Sequence, residues 1–507
     1  MPINKLFSRF IRLRMKEINT TLSNPIQVQK EVFKDLFHQL CETQFGLEHE
    51  LTCFSNEEPR EQFEKIPIRT YDEFKPWIDK ARGGALSVIW PGKTYWFAKS
   101  SGTTSDRSKY LPVTEASLKT GHYKGGRDLL AIFCDQRPEA QLYAGKHLII
   151  GGSSALHEDG RGAYTGDLSA IIVRNLPPWV EMRRTPSRDI TLLEDWKTKV
   201  KLMAQKVAEE DVRILAGVPS WMLVVCKEVL KIKGVKTLDE VWPNLWLYMH
   251  GGVGFGPYED EFRRLIKSEK MNYMETYNAS EGFFALQDNL VRDDMALLLN
   301  HGIYYEFIPL NEFNEAHINS SKTIQINEVR VGEDYVLVVS TNAGLWRYLL
   351  GDVVRITCTS PYRIKVIGRT SSFINVVGEE LMIAQTELAL TQALSKFDHS
   401  LKEFTAAPVF STETGNPIGH QWAIEIQDST LPAPVSDKFA VLLDSELRAL
   451  NSDYDAKRTG NFVLNLPDVV FVQSGTFEEW LDSKNKLGGQ HKIPRLSNSR
   501  KIIDEIL

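Results

Sequence analysis

Hydrophobic positions along the chain alternate between two spacings, and this alternation predicts a mixed α/β protein. Apolar residues recur at helical spacing over 190–209, which predicts an amphipathic helix. The run 212–217 predicts a buried strand, and Pro219 suits the first turn of a following helix. Further buried strands are predicted at 147–150, 245–249 and 335–340. Alternation of strands and helices, with glycines at strand ends, indicates α/β layers whose ligands bind at those ends.

A smaller second domain is predicted after the junction Gly368-Arg369. Helices at 385–394 and 438–450 surround strands at 421–426 and 469–473, which is typical of a small α+β domain. A length of 507 residues also exceeds that of one ordinary domain. We therefore predict a large N-terminal domain of α/β subdomains, residues 1–370, and a small α+β C-terminal domain, residues 371–507.

Composition narrows the class of protein and its partners. A formal net charge of −6, with no sustained basic stripe, argues against a nucleic-acid partner but allows a bound nucleotide. The five cysteines are scattered and form no CxxC pair, so neither a zinc site nor a disulfide framework is predicted. This cysteine usage favours the cytoplasm. No apolar run reaches the length of a membrane span, and the sequence carries no signal for an oligomeric state.

The most informative motif is the hydroxyl-rich run that begins at Ser100. Five hydroxyl side chains and one glycine precede Arg107 and Lys109, and the run follows a predicted strand end at 96–98. Backbone N–H groups, hydroxyls and cationic side chains are the donors that a polyphosphate accepts from. A solvated Ser/Thr turn explains the run equally well when it is taken alone.

Three later motifs carry candidate chemistry. Tyr277 could stack on a base and Glu281 could bind Mg²⁺, although a strand leading into a helix capped by Ser280 explains the same residues. Asp352, after a glycine at a predicted strand start, could accept ribose hydroxyls, although a plain Gly-Asp turn is the simpler interpretation. Lys492, on a glycine-rich segment, could enter an active site or be merely solvated.

In this order, the motifs resemble those of the adenylate-forming superfamily, and more closely those of the Gretchen Hagen family of acyl-acid amido synthetases. The resemblance covers nearly the whole chain. It includes Ser-Ser-Gly-Thr-Thr at 100–104, Tyr-x-x-Ser-Glu at 277–281, Tyr-x-x-Gly-Asp-Val at 348–353 and Gln-x-Lys-x-Pro-Arg at 490–495. It implies a large ATP- and acyl-binding domain and a small mobile domain. It also implies two steps, adenylation of a carboxylic acid by ATP and acyl transfer to the amine of an amino acid.

The resemblance also implies roles for individual residues. Lys492 would neutralise charge on the α-phosphate, and Glu281 would bind Mg²⁺. Asp352 would hold the ribose, helped by Arg369. The residues implied to bind the nucleotide are Ser100, Ser101, Gly102, Thr103, Thr104 and Lys109 at the phosphates, Gly252, Thr276 and Tyr277 at the adenine, and Ser280.

Two departures from the family pattern keep alternatives open. Asp106 adds negative charge to the phosphate loop, where many relatives have glycine, and this keeps open a non-catalytic nucleotide-binding module. Leu349 and Leu350 replace polar residues and suit a core adjustment. An acyl-CoA ligase with a thiol acceptor is the alternative with the same chemistry, but the small domain shows no basic cluster for the phosphates of CoA.

Overall fold

The computed structural model describes residues 2–54, 57–100, 109–151, 156–193, 195–252, 254–370, 373–374, 379, 381–410, 417–427, 435–451, 454–455, 458, 464–484, 493–497 and 499–507. They divide into two compact units. The described residues up to Lys365, apart from Gly254–Asp260, form the first unit, and Gly254–Asp260 with those from Val366 onward form the second. The sequence-based boundary between residues 370 and 371 lies slightly further along the chain, and it stays a prediction.

Most helices of the first unit begin at prolines or after short polar side chains. They are α1 (Pro2–Arg12), α2 (Met15–Ser23), α3 (Pro25–Cys41), α4 (Gln44–Glu48), α5 (Pro59–Glu64), α6 (Tyr71–Arg82), α7 (Tyr123–Gln136), α8 (Leu168–Arg174), α9 (Pro178–Glu181), α10 (Arg188–Thr191), α11 (Trp196–Val207), α12 (Pro219–Lys233) and α13 (Gly256–Leu265), which crosses into the second unit. None of the helices in the described part of the chain is long and apolar enough to cross a membrane.

The helix predicted over 190–209 is wrong at its start. The structure has the short helix α10 and then a separate helix α11. The Asp195 carboxylate accepts the backbone N–H of Thr198 at 2.7 Å and caps α11. An Asp at this position satisfies a helix N–H that has no partner within the helix, so the new helix begins after it. The helix predicted from Pro219 is confirmed as α12.

The described residues of the first unit contain fifteen strands. They are β1 (Trp96–Ser100), β2 (Lys109–Val113), β3 (Lys146–Ile149), β4 (His157–Glu158), β5 (Tyr164–Gly166), β6 (Arg184–Thr185), β7 (Val212–Gly217), β8 (Leu247–Gly251), β9 (Asn272–Ala279), β10 (Gly282–Leu286), β11 (Met295–Leu297), β12 (Ile303–Pro309), β13 (Asp334–Thr341), β14 (Tyr348–Thr359) and β15 (Tyr362–Arg369). The end of β15 belongs to the second unit.

Most of these strands form one large mixed sheet. Its strand order is β12-β13-β14-β15-β11-β10-β9-β8-β7-β3-β6, and a smaller sheet has the order β2-β1-β5-β4. The part from β6 to β9 is parallel, and β9 to β10 begins the antiparallel part. The strand predicted at 212–217 is confirmed as β7. The parallel half therefore places several strand carboxyl ends at one edge, where α/β proteins bind ligands.

The second unit has its own core around a three-stranded sheet. Its elements are β16 (Phe373–Ile374), β17 (Leu381–Met382), α14 (Ile383–Ser395), β18 (Leu401–Phe410), β19 (Pro417–Ile426), α15 (Ser436–Leu450), β20 (Asp468–Val472), α16 (Thr476–Ser483) and α17 (Ile503–Ile506). Strand β19 lies between β18 and β20, and Trp422, Phe404 and Phe439 are buried beside it. The helices and strands predicted here are confirmed within two residues at their ends, except that β19 begins at Pro417, four residues before the predicted start at 421.

Candidate functional site

The two ends of the hydroxyl-rich run lie side by side. Ser100 is the last residue of β1 and pairs with Lys109, the first residue of the antiparallel strand β2. The Lys109 Nζ atom lies 5.4 Å from the centroid of the Tyr71 ring. The Tyr71 hydroxyl accepts the backbone N–H of Tyr110 at 2.8 Å, which fixes the start of β2. The other predicted phosphate-binding residues lie outside the described residues, and they are Ser101, Gly102, Thr103 and Thr104.

Gly252 and Thr276 lie at the carboxyl edge of the parallel strands. Gly251 pairs with Thr276 across β8 and β9, and the Thr276 hydroxyl donates to the His250 carbonyl at 3.0 Å. A Cβ atom on Gly251 would lie 2.3 Å from the Thr276 carbonyl oxygen, so only glycine fits there. Gly252 has a φ of +82°, which glycine adopts without strain. The chain can therefore leave β8 in a sharp turn next to Thr276.

Tyr277 and Asp352 meet although 75 positions separate them along the chain. The Tyr277 hydroxyl donates a hydrogen bond to Asp352 Oδ2. The Tyr277 ring packs on Phe284, with 4.8 Å between the ring centroids. Asp352 is only 5% exposed. Two motifs that the sequence analysis treated separately therefore form one site.

A bulge in β14 presents Asp352. Val353 pairs with Val336 and Leu349 pairs with Val338, so three residues of β14 face one residue of β13. Gly351, inside this bulge, has a φ of +79°. The prediction of Asp352 at a strand start and the simpler prediction of a Gly-Asp turn are both wrong, because β14 begins earlier, at Tyr348. Bulges bend a strand and re-aim a side chain, which here is that of Asp352.

Ser280 and Glu281 form the tight turn between β9 and β10. Ala279 pairs with Gly282, so the two residues span a hairpin, and each is 8% exposed. The alternative in which Ser280 caps a helix is wrong, because β10 follows at once. A buried carboxylate supplies the oxygen ligands that Mg²⁺ takes from proteins. The described residues hold no cluster of three or more candidate metal ligands.

Two predicted residues belong to the late part of the chain. Arg369 is the last residue of β15 and lies in the second unit. Lys492 lies outside the described residues. Arg495 from the same motif is described and buried. Its guanidinium pairs with Glu387 of α14 and, at 2.7 Å, with Glu403 of β18. The motif is therefore anchored within the second unit three residues after Lys492.

A buried ion pair between Arg347 and Glu306 was not predicted from the sequence. The Arg347 guanidinium donates to both oxygens of Glu306, at 3.0 and 3.1 Å, and to the carbonyl of Ile66 at 2.7 Å. Arg347 also has a φ of +43°, which is strained for a residue with a side chain. The network fixes the start of β14. Arg347 stands five positions before Asp352 and directly before the quoted motif at 348–353, and that position was the available signal.

Two tryptophans that are distant along the chain stack next to Arg347. Trp346 is buried, and its indole N–H donates to the Ile89 carbonyl at 2.8 Å. Its ring stacks on Trp90, with 6.1 Å between centroids and 17° between planes. These contacts hold the residue before Arg347 against the core.

A buried histidine was also missed. His122 ends a π-helical segment, Ser117–His122, that runs into α7. Its Nδ1 atom lies 2.9 Å from Asn278 Oδ1 on β9, so the ring is positioned to donate to that amide oxygen. Burial lowers the pKa of His122 to about 4, and the ring is neutral at physiological pH. Asn278 directly follows Tyr277, so His122 supports the strand that carries the site. A lone histidine with no partner motif offered no sequence signal.

Solved structures with this fold define its class. The chain matches two structures of the GH3.15 acyl acid amido synthetase, one of them titled as a complex with 2,4-DB. The TM-scores are 0.76 and 0.77, the identity is 17%, and the matches cover 97% of this chain and 95% of those chains. It also matches a 2-hydroxyisobutyryl-CoA ligase titled as a postadenylation complex with 2-HIB-AMP, with a TM-score of 0.57 and 12% identity over 94% and 90% of the chains. The fold is that of adenylate-forming enzymes.

Family models make the assignment specific. The GH3 family N-terminal domain matches residues 14–271, the GH3 family central domain matches 296–369, and the GH3 family C-terminal domain matches 384–501. This chain belongs to the GH3 (Gretchen Hagen) family. It is 21% identical to the Arabidopsis thaliana indole-3-acetic acid-amido synthetases GH3.4 and GH3.6, over 97% of this chain and 93% and 92% of those proteins. The predicted family, fold class and enzyme class, an amide-forming ligase, are confirmed.

Proposed function

We propose that this protein adenylates a carboxylic acid with ATP and then transfers the acyl group to the amine of an amino acid. The observation that carries the proposal is the hydrogen bond from Tyr277 to Asp352. It joins an aromatic ring suited to a base with a carboxylate suited to a ribose. Tyr277 lies on β9, and Glu281 lies in the turn that follows this strand.

The nucleotide would bind along the carboxyl edge of β8 and β9. Gly252 and Thr276 would border the adenine, Tyr277 would stack on it, and Ser280 would lie near it. Asp352 would accept the ribose hydroxyls, as acidic residues do in dinucleotide folds. Ser100 and Lys109, paired at the base of their hairpin, would hold the phosphates together with residues 101–104. Arg369 would assist at the ribose.

Charge stabilisation would come from Glu281 and Lys492. Glu281 would hold Mg²⁺, which would neutralise part of the phosphate charge while pyrophosphate leaves. Lys492 would do the same for the α-phosphate. No nucleophile from the protein is needed, because the substrate carboxylate and amine attack in turn, so positioning and electrostatics carry the catalysis.

The test is release of pyrophosphate from ATP and Mg²⁺ across a panel of carboxylic acids that includes indole-3-acetate and 2,4-DB. We expect release that depends on one of the acids, and a loss of roughly 10²–10³-fold in rate for Lys492→Ala and Glu281→Gln. Glu328→Gln is a control, since Glu328 lies in a short helical turn at 326–328 of the same unit. No release with any acid, despite measurable ATP binding, would leave a non-catalytic nucleotide-binding module.

The products of the second step identify the acceptor that the enzyme uses. Mixed amino acids and coenzyme A are added in separate reactions, and the products are identified by mass spectrometry. An amide with an amino acid is the expected product. The fold is shared with a CoA ligase, so a thioester found in place of an amide would refute the amide-forming proposal while keeping adenylation.

A further inference from the structure

A short segment, residues 69–71, contacts both strands that carry predicted nucleotide-binding side chains. The backbone N–H of Arg69 donates to the Arg347 carbonyl at 3.1 Å, and the Arg69 carbonyl accepts the backbone N–H of Leu349 at 2.8 Å. Arg69 is thereby paired in parallel with Tyr348, the first residue of β14. The same strand presents Asp352, three residues after Leu349. One end of the segment is therefore fixed to the strand of the predicted ribose-binding residue.

The other end of the segment meets β2. Tyr71 is buried, and its hydroxyl accepts the backbone N–H of Tyr110 at 2.8 Å. Its ring centroid lies 5.4 Å from the Nζ atom of Lys109, the predicted phosphate-binding residue that begins β2. Arg69 and Tyr71 are two positions apart, so a single short stretch of backbone sets the position of β14 relative to β2.

The Arg69 side chain is held between aromatic rings. Its guanidinium carbon lies 5.3 Å from the centroid of Phe45 and 5.1 Å from that of Trp77. Its Nη2 atom donates to His49 Nε2 at 2.9 Å, and its Nη1 atom donates to the Pro67 carbonyl at 3.2 Å. A planar guanidinium can stack on rings and donate in fixed directions at once, which a lysine cannot do. These contacts fix the start of the 69–71 segment.

The hydrogen bonds of His49 require a neutral ring. Its Nδ1 atom lies 2.7 Å from the Phe45 carbonyl oxygen, which only accepts, so Nδ1 carries the hydrogen and Nε2 has the lone pair that accepts from Arg69. A second proton, on Nε2, would remove this lone pair and place two cations in contact. Burial, and then the charge of Arg69, lower the pKa of His49 from 6.5, whereas the Phe45 carbonyl and Glu48 oppose this shift. Glu48 of α4 and Glu73 of α6 are the carboxylates that act on Arg69.

We propose that Arg69 is a positioning residue for nucleotide binding. Held by neutral His49, it fixes the 69–71 segment, so that β14 and β2 present Asp352 and Lys109 to the same nucleotide. Arg69 acts through the backbone of these strands. The inference rests on the proposed function, because Asp352 and Lys109 are ATP-binding residues within that proposal.

Hydrogen–deuterium exchange of the full-length protein without nucleotide tests whether the segment holds β14. We expect Arg69→Gln and His49→Leu to speed exchange several-fold in β14 peptides, because the N–H of Leu349 loses a fixed acceptor. His49→Gln keeps an acceptor for Arg69 and should exchange like the wild type. Arg330→Gln, at a 79% exposed position of the same unit, is the matched control. Exchange in β14 that Arg69→Gln leaves unchanged overturns the positioning role.

Calorimetric titration with MgATP and steady-state kinetics test the consequence for the nucleotide. In Arg69→Gln and His49→Leu we expect the Kd and KM for ATP to rise about tenfold with a much smaller change in kcat, because a displaced Asp352 weakens substrate and transition state alike. A merely structural role would reduce the amount of active protein, and thus the apparent kcat, without changing KM. Faster exchange in β14 with an unchanged Kd overturns the link to the nucleotide. Wild-type protein that binds no ATP contradicts the proposed function and this role together, whereas unchanged exchange contradicts the role alone.

The dependence of ATP binding on pH tests the neutral ring. Between about pH 7.5 and pH 5, the Kd of the wild type should rise more than that of His49→Gln, because only the wild type has an imidazole there that takes up a proton. The ratio of the two constants removes the protonation of ATP and of groups that both proteins share. His38→Gln, at a 65% exposed position of α3, is the control and should follow the wild type. A constant ratio across this range overturns the requirement for neutral His49.

Discussion

Tyr277 and Asp352 face each other from two strands of the large sheet, and the pair shows how single side chains assemble the site. A phenol donating to a carboxylate makes a charge-assisted hydrogen bond, which is stronger than a neutral one. Asp352 is buried, so water does not fully replace the Tyr277 hydroxyl as its donor. Loss of this hydroxyl therefore destabilises the folded protein.

We expect Tyr277→Phe and Asp352→Asn to be coupled in a double-mutant cycle. Each change should lower the free energy of unfolding by about 1–3 kcal/mol, and their coupling should be about 1 kcal/mol, measured by urea denaturation. Tyr335→Phe is the matched control, because its hydroxyl donates to Glu333 at 2.9 Å. It should be additive with Asp352→Asn. If the effects of the Tyr277 and Asp352 substitutions were additive, that would contradict an energetic interaction between the two side chains.

Breaking the ion pair of Arg347 and Glu306 should lower the free energy of unfolding more than most single substitutions in the first unit. Arg347→Met removes the nearer cation from the fully buried Glu306 carboxylate and leaves it only the Thr323 hydroxyl and Arg60 at 3.9 Å, so we expect a loss of about 3–5 kcal/mol in unfolding free energy. The double variant Arg347→Met with Glu306→Leu should recover most of it, because both charges are gone.

Arg355→Ala provides the comparison for Arg347, because the pair between Arg355 and Asp334 lies at the surface, with Arg355 46% exposed. It should cost less than about 1 kcal/mol in the same denaturation experiment. A loss for Arg347→Met as small as that for Arg355→Ala would show that the buried pair does not hold the start of β14.

Among the elements, β14 presents Asp352, and its bulge depends on Gly351. Gly351→Ala should cost about 1 kcal/mol through its positive φ and raise the KM for ATP roughly tenfold by moving Asp352. Gly332→Ala is the control, because Gly332 has a φ of +89° and no atoms near an added Cβ. It should cost a similar free energy and leave KM unchanged, as steady-state kinetics would show. An equal KM for ATP in the two variants would contradict a role for the bulge in ATP binding.

Elements were predictable from the sequence where one local pattern decides them. Strand β7 and helix α12 follow from an apolar run and a proline, and no distant residue is needed. The turn at Ser280 was open to two interpretations, because a short polar segment after a strand suits both a helix cap and a hairpin. Pairing of β10 with β9, which is a tertiary contact, decides between them.

The contacts of the site were less predictable than its residues. The motif at 348–353 indicated Asp352, but its contact with Tyr277 depends on the order of strands in an eleven-stranded sheet. Local sequence does not encode that order.

For the molecule as a whole, buried histidines set a dependence of stability on pH. Burial lowers the pKa of His122 and of His147 to about 4, and that of His250 to about 3, from 6.5 in an unfolded chain. Below pH 6.5 the unfolded chain binds protons that the folded protein does not, so stability falls as the pH drops towards 4. Above pH 7 these groups contribute no pH dependence.

We expect unfolding free energy to decline between pH 7 and pH 5, by on the order of 1–2 kcal/mol for each such histidine. His122→Gln should reduce the decline, measured by urea denaturation at several pH values. His317→Gln, at an exposed position of the same unit, is the control. A pH profile for His122→Gln that overlays the wild type would refute the contribution of His122.

The stacked rings of Trp90 and Trp346 give the protein an optical reporter of its own. Two indoles held 6.1 Å apart at a fixed angle couple their electronic transitions, and the coupling changes when either ring turns. Trp346 precedes Arg347 and the strand that carries Asp352, so movement at the start of β14 should alter near-ultraviolet circular dichroism. Titration with ATP could then be followed without a label, and Trp90→Phe would remove the signal while leaving the rest of the site in place.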